Sequence, residues 1–213
     1  MALATEIEKR RHDFYEPKTA PHARRVHWSS DLSSCARQMV YKRVMWEALP
    51  PPTVALQERF AAGNAVEDRI GKELVALGFE VVASGTSLNK NARMERYGIS
   101  ARLERVMKFK GKYILIEIKS MQPFVWKKIN SLEDMEKDKF LRRYLRQMQI
   151  YLLGFEMEQG LFIFDDCMGH WKTLPVNLDY DYSESILKTV ELANQHIDSW
   201  KQGPGTLPDR IVY

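Results

Sequence analysis

The 213 residues, 45% of them hydrophobic, suffice for one sizeable core, and the chain reads as a single main domain. Against 28 acidic side chains stand 32 basic ones, a net charge of +4 that mildly favours an anionic partner without defining one. No run approaches a membrane span and the amino terminus turns charged after five residues, so a cytoplasmic protein without a signal peptide is expected. Cys35 and Cys167 are too few for a disulfide framework or a four-cysteine metal site, and the five histidines form no close pair at metal-ligand spacing.

Residues 1–28, punctuated by Pro17 and Pro21, read as a charged, irregular arm. A helix is expected to start near Ser29 to Asp31 and to run through "CARQMVYKRVMWEAL", ended by the prolines at 50–52. The next helix, "ERFAAGNAVEDRIGKELVALGF", spaces Phe60, Gly63, Glu67, Ile70, Leu74 and Leu77 by three and four residues, which predicts one apolar stripe carrying an acid. Glu67 there either reaches water at the stripe's edge or needs a cation beside it.

From Phe79 the period changes to two. "FEVVASGTSL", "YGISARLERVMKF" and "KYILIEIKS" read as three strands, the last two joined by a tight turn at Lys110 and Gly111. That turn pairs Phe109 with Lys112, and the same register sets Glu104 opposite Glu117. Leu103, Met107, Ile114, Ile116 and Ile118 then share one sheet face, while Arg102, Glu104, Glu117 and Lys119 share the other. Two like charges across a sheet are destabilising and call for a cation. Mg²⁺ takes oxygen ligands and keeps several waters, so Glu104, Glu117 and the main-chain carbonyl of Ile118 form a plausible ligand set, with Lys119 beside them. This is a chemistry suited to phosphodiester hydrolysis.

Further on, "FLRRYLRQMQIYLLGF" predicts a helix buried through Leu141, Leu145, Met148 and Leu152, with Gln147 and Tyr151 neighbours on its flank. A hairpin around "CMGH", an amphipathic helix and a Gly/Pro-rich tail from 203 complete the chain. The expected architecture is α/β, a mixed central sheet flanked by helices in the order αβββαβ.

The ordered set "ARLERV", "EIK" and "QMQIY", with twelve residues separating Glu104 from Glu117, resembles the PD-(D/E)XK nuclease superfamily and its RecB-like branch with the Gln-x-x-x-Tyr element. The likeness takes in "FAAGNAVEDRI" and "SSDLSSCARQMVYKR" and spans roughly 29–170. It implies a restriction-endonuclease-like core and a nuclease domain over 29–202. It also implies Mg²⁺ or Mn²⁺ held by Glu67, Glu104, Glu117 and the Ile118 carbonyl, and catalysis by Glu104, Glu117 and Lys119. Gln147 and Tyr151 match the branch's added motif, expected to line the active site and position DNA. Arg102 and Arg37 are the candidate DNA contacts.

The implied activity is DNA hydrolysis, as an exonuclease in phage or bacterial recombination or repair, beside an annealing protein or helicase. Alternatives are a structure-specific or restriction-like endonuclease and a degenerate DNA-binding module. The chain departs from the family in carrying Glu104 where an aspartate is usual. Cys35 matches the first cysteine of an iron-sulfur set, but the tail holds none of the other three, so no cluster is expected.

Overall fold

A computed structural model describes residues 2–17, 23–32, 35–85, 91–203, 205 and 207. The later part of the "FEVVASGTSL" segment, Ser33, Ser34 and most of the tail lie outside the described residues. In chain order the elements are α1 (Ala2–Tyr15), β1 (His27–Trp28), α2 (Ala36–Val44), α3 (Val54–Ala76), β2 (Glu80–Ser84), α4 (Ala92–Arg96), β3 (Ile99–Ser100), β4 (Arg105–Phe109) and β5 (Lys112–Ser120). There follow α5 (Pro123–Trp126), α6 (Leu132–Lys137), α7 (Lys139–Gly154), β6 (Gln159–Asp165), β7 (Trp171–Asn177) and α8 (Tyr180–Lys201).

Local chemistry sets these boundaries. Thr53 follows the proline run and accepts the Leu56 N–H, starting α3. Asp138 accepts the N–H groups of Phe140 and Leu141 to open α7, and Asp179 does the same for α8 through Tyr182. Between β4 and β5, Lys110 (φ 49°) and Gly111 (φ 81°) both adopt left-handed backbone, the conformation of a two-residue hairpin turn. Phe109 accordingly pairs with Lys112.

A five-stranded sheet in the order β2-β4-β5-β6-β7 organises the molecule, antiparallel except where β5 and β6 run parallel. One face buries Met107, Ile116, Ile118 and Ile163 against Ile70 and Leu74 of α3. The other packs Leu115, Phe162 and Phe164 against α7 and α8. This is the expected mixed α/β architecture with helices on both sides of the sheet, and the stripe Leu141, Leu145, Met148 and Leu152 is buried as its spacing predicts.

Four local expectations change, the first being that the helix expected from Ser29–Asp31 to the prolines is α-helical only over Ala36–Val44, with separate 3-10 turns at Ser29–Asp31 and Trp46–Ala48. Residues 2–15 are helical where an irregular arm was expected, tied to α3 by an ion pair between Arg11 and Glu58. Their apolar side chains are too few and too exposed to mark a helix by periodicity. The "YGISARLERVMKF" segment is two strands, not one, because Ile99–Ser100 pairs in parallel with His27–Trp28 and the main sheet resumes only at Arg105. On α3 only the middle of the apolar stripe is covered: Ile70 and Leu74 are buried, whereas Phe60 and Leu77 are exposed.

Candidate active site

The site forms where β4 stops short of β5. The last residue paired on β4 is Arg105, opposite Ile116, so Glu104 is the first to leave the ladder, at the level of Glu117. In place of a backbone partner, the Glu104 carboxylate accepts the Ile118 N–H at 2.6 Å. A strand residue presents its N–H and C=O to the same side, so the Ile118 carbonyl faces this opening too, and Ile118 lines the cavity there.

Lys119 Nζ donates to Glu104 Oε1 at 2.9 Å and to Glu117 Oε1 at 2.6 Å. One ammonium is thus shared by two carboxylates. Glu117 is 1% exposed, and its second oxygen, Oε2, is buried without a hydrogen-bond partner among the described residues. Burial, and after it the charge of Glu104, pushes the Glu117 carboxyl up to about 8. Burial alone would lower Lys119, but Glu117 and Glu104 hold its ammonium well above the ordinary lysine value. Glu67 lines the same cavity from α3, and burial followed by the charge of Glu104 raises its carboxyl. Its nearest cation is Arg105, with Nη1 at 3.5 Å. Gly71, one turn further along α3, leaves the space in which that guanidinium lies, since a Cβ there would overlap it.

Gln147 and Tyr151, one turn apart on α7, form a hydrogen-bonded triangle with Ser29. Gln147 Nε2 donates to the Tyr151 hydroxyl at 2.7 Å and to Ser29 Oγ at 3.1 Å, and the two hydroxyls lie 2.9 Å apart. Only Gln147 of the pair lines the cavity. Tyr151 is buried, and burial, then the charge of Glu117, raises its hydroxyl pKa well above the ordinary tyrosine value.

The cavity, about 390 Å³, is lined by Glu67, Glu104, Ile118, Lys119 and Gln147 together with Phe60, Asn64, Arg143 and Tyr144. Arg102 flanks it in an adjoining polar cleft that shares Glu67 and Glu104, its Nε donating to the Gly85 carbonyl. Arg37 does not line either cleft; its guanidinium lies against Tyr41 on α2. By its sequence pattern Ser29 marks only a helix start, and nothing in its local sequence signals a hydroxyl aimed at a residue 122 positions away.

Among the described residues, no three His, Cys, Asp or Glu side chains are already gathered at ion-ligating spacing. The reason is visible in the geometry: the Lys119 ammonium stands between Glu104 and Glu117. The donor set nevertheless fits a hard divalent cation, because it offers carboxylate oxygens, a main-chain carbonyl and the orphaned Glu117 Oε2. Among the described residues no helix is long and apolar enough to cross a membrane.

Solved structures share this fold. A phage-related exonuclease from Haemophilus somnus superposes with a TM-score of 0.60 at 13% identity, over 85% of this chain and 96% of that one. An alkaline exonuclease from Laribacter hongkongensis gives 0.58 at 13% identity, over 83% and 90%. The same exonuclease in complex with dAMP gives 0.57 at 17% identity, over 84% and 90%. No family model and no curated protein matches the chain. The likeness is one of fold.

Proposed function

We propose that this chain is a metal-dependent deoxyribonuclease acting as an exonuclease in phage or bacterial DNA recombination or repair. The observation that carries the reading is the buried Glu117, with one oxygen on Lys119 and the other without a partner, facing Glu104 across the end of a broken strand ladder. A buried carboxyl oxygen left without a partner in that position is costly unless it serves a charge that arrives later. The fold shared with phage-related and alkaline exonucleases supports the same reading, and the dAMP bound by one of them supports DNA as substrate.

In this reading Glu104, Glu117 and the Ile118 carbonyl, with Glu67 across the cavity, hold Mg²⁺ or Mn²⁺. A bound divalent ion supplies the positive charge that activates water and offsets charge on the scissile phosphate. Lys119 donates hydrogen bonds towards the phosphate oxygens from a position the two carboxylates keep protonated. Gln147, oriented by Ser29 and Tyr151, presents its amide to the same space, and Arg102 offers a guanidinium at the flank. No iron-sulfur cluster enters this reading, and an annealing protein or helicase is the class of partner it implies.

The test is cleavage of end-labelled linear and closed circular DNA by the wild type and Glu117→Ala, with Mg²⁺, Mn²⁺ or chelator. Metal-dependent loss of linear DNA alone, absent from the variant, is the expected result. Cutting of circles would convert the reading to an endonuclease. Binding of DNA with no cleavage under any metal would convert it to a binding module.

A further inference from the structure

We infer that the cavity beside the carboxylates holds a nucleotide subsite in which Arg143 takes a backbone phosphate and Phe60 stacks on an unpaired base, so that the strand reaches the site single-stranded. The inference rests on the nuclease reading and names the form of its substrate.

Arg143 supplies the first observation. Its guanidinium carbon lies 3.8 Å from the ring centroid of Phe140 and 4.6 Å from that of Tyr144, and it donates to the Tyr144 hydroxyl at 2.6 Å. Its Nε–H is buried without an acceptor among the described residues. Among the described residues no carboxylate lies within ion-pair distance of it, in contrast to Arg69, Arg105 and Arg142. An arginine pinned by two rings at a cavity wall, with donors left over, is preorganised for an oxyanion, because little side-chain freedom remains to be lost.

The second, independent observation is Phe60. It sits on α3, a 23-residue helix packed on the sheet, yet the residue is 53% exposed and lines the same cavity. Among the described residues no other ring lies against it. A lone exposed phenylalanine is ordinary on a surface. One that shares a cavity with Arg143, Lys119 and two carboxylates faces ligand chemistry that is part anion and part flat apolar ring, which is that of a nucleotide.

Stacking on an aromatic side chain needs the face of a base that has left its neighbour, and every base has such a face. The subsite therefore selects for an unpaired strand while remaining indifferent to base identity. The cavity volume, about 390 Å³, is near the lower end for small-ligand sites and suits a nucleotide unit rather than a stacked duplex.

The experiment measures binding of the full chain in chelator, by fluorescence anisotropy, to a labelled single-stranded deoxyoligonucleotide, to its duplex, and to strands in which one abasic residue is walked along the sequence. Wild type is expected to prefer the single strand and to lose about tenfold in affinity at one abasic position. Phe60→Ala should weaken the intact strand by a similar factor and erase the abasic penalty at that position, and Phe60→Trp should restore it. Arg143→Ala should weaken binding and reduce the slope of log affinity against log salt by about 0.7, the share of one single-strand phosphate.

An abasic penalty that survives in Phe60→Ala, or tighter binding of duplex by wild type, would overturn the subsite. Coupling between Phe60 and the abasic position in a protein that cleaves nothing would keep the subsite and overturn the nuclease reading. Metal-dependent cleavage without that coupling would do the reverse.

Discussion

The Glu104 carboxylate accepts the main-chain N–H of Ile118 at 2.6 Å, taking the place of the backbone partner that β4 no longer supplies. One side chain therefore closes the sheet and belongs to the proposed ion-binding set. The two roles separate by substitution. Glu104→Gln keeps an oxygen acceptor and should leave urea stability within about 1 kcal/mol of wild type. Glu104→Ala leaves the N–H without an acceptor and should lose about 1–3 kcal/mol. Both should lose metal-dependent cleavage.

Glu117 gives the metal-free protein a pH dependence with a definite sign. Its carboxyl is raised from 4.5 to about 8, by burial first and by Glu104 second, so the folded chain retains a proton that the unfolded chain releases. The stability this contributes is fully present below 4.5 and is lost as pH rises to about 8. His27, whose pKa burial lowers from 6.5, acts in the opposite direction and only below that value. Denaturant titrations in chelator between pH 6.5 and 8 should show stability falling by about 1–2 kcal/mol, and Glu117→Gln should flatten the slope. Calorimetry with Mn²⁺ should show protons released on binding and affinity rising over the same window.

Gly71→Ala reverses the usual effect of that replacement in a helix. Helix propensity alone favours alanine by about 1 kcal/mol, but a Cβ at 71 would overlap the Arg105 guanidinium beside Glu67. Net destabilisation of about 1–3 kcal/mol is expected. A melting temperature equal to or above wild type would show that Arg105 has room to move.

Gln147 and Tyr151 should behave differently although they share one hydrogen-bonded triangle. Gln147→Ala removes a group that lines the cavity and should lower cleavage with little change in stability. Tyr151→Phe removes a buried hydroxyl that meets both Ser29 and Gln147, and should cost about 1 kcal/mol of stability. Its cleavage should fall less than that of Gln147→Ala. Parallel urea curves and initial rates on linear DNA separate the two.

Much of this arrangement was legible because β-structure is periodic. Alternation fixes which residues share a face, and the Lys110–Gly111 turn sets the register, so the proximity of Glu104 and Glu117 followed from counting. What counting missed are departures from regularity. Alternation continues through "ISARLERV" although the chain changes sheets within it, and no residue type there announces the change. The helical stripe from Phe60 to Leu77 is longer than the sheet surface it crosses, so its ends emerge exposed. Ser29 reaches the site from 122 residues away, a contact made by tertiary packing that no local pattern encodes.

The parallel pairing of β5 with β6 spans an excursion of residues 121–158, which includes α7. Parallel strands cannot close through a tight hairpin, so the entropy of that excursion must be met before the pairing is rewarded. The hairpin of β4 and β5 forms from neighbours in sequence, but Gln147 and Ser29 join it only when distant segments dock. Contacts of this range slow folding. A chain emerging from the ribosome therefore carries the acids long before it carries the pocket, which exists only after these distant segments have docked.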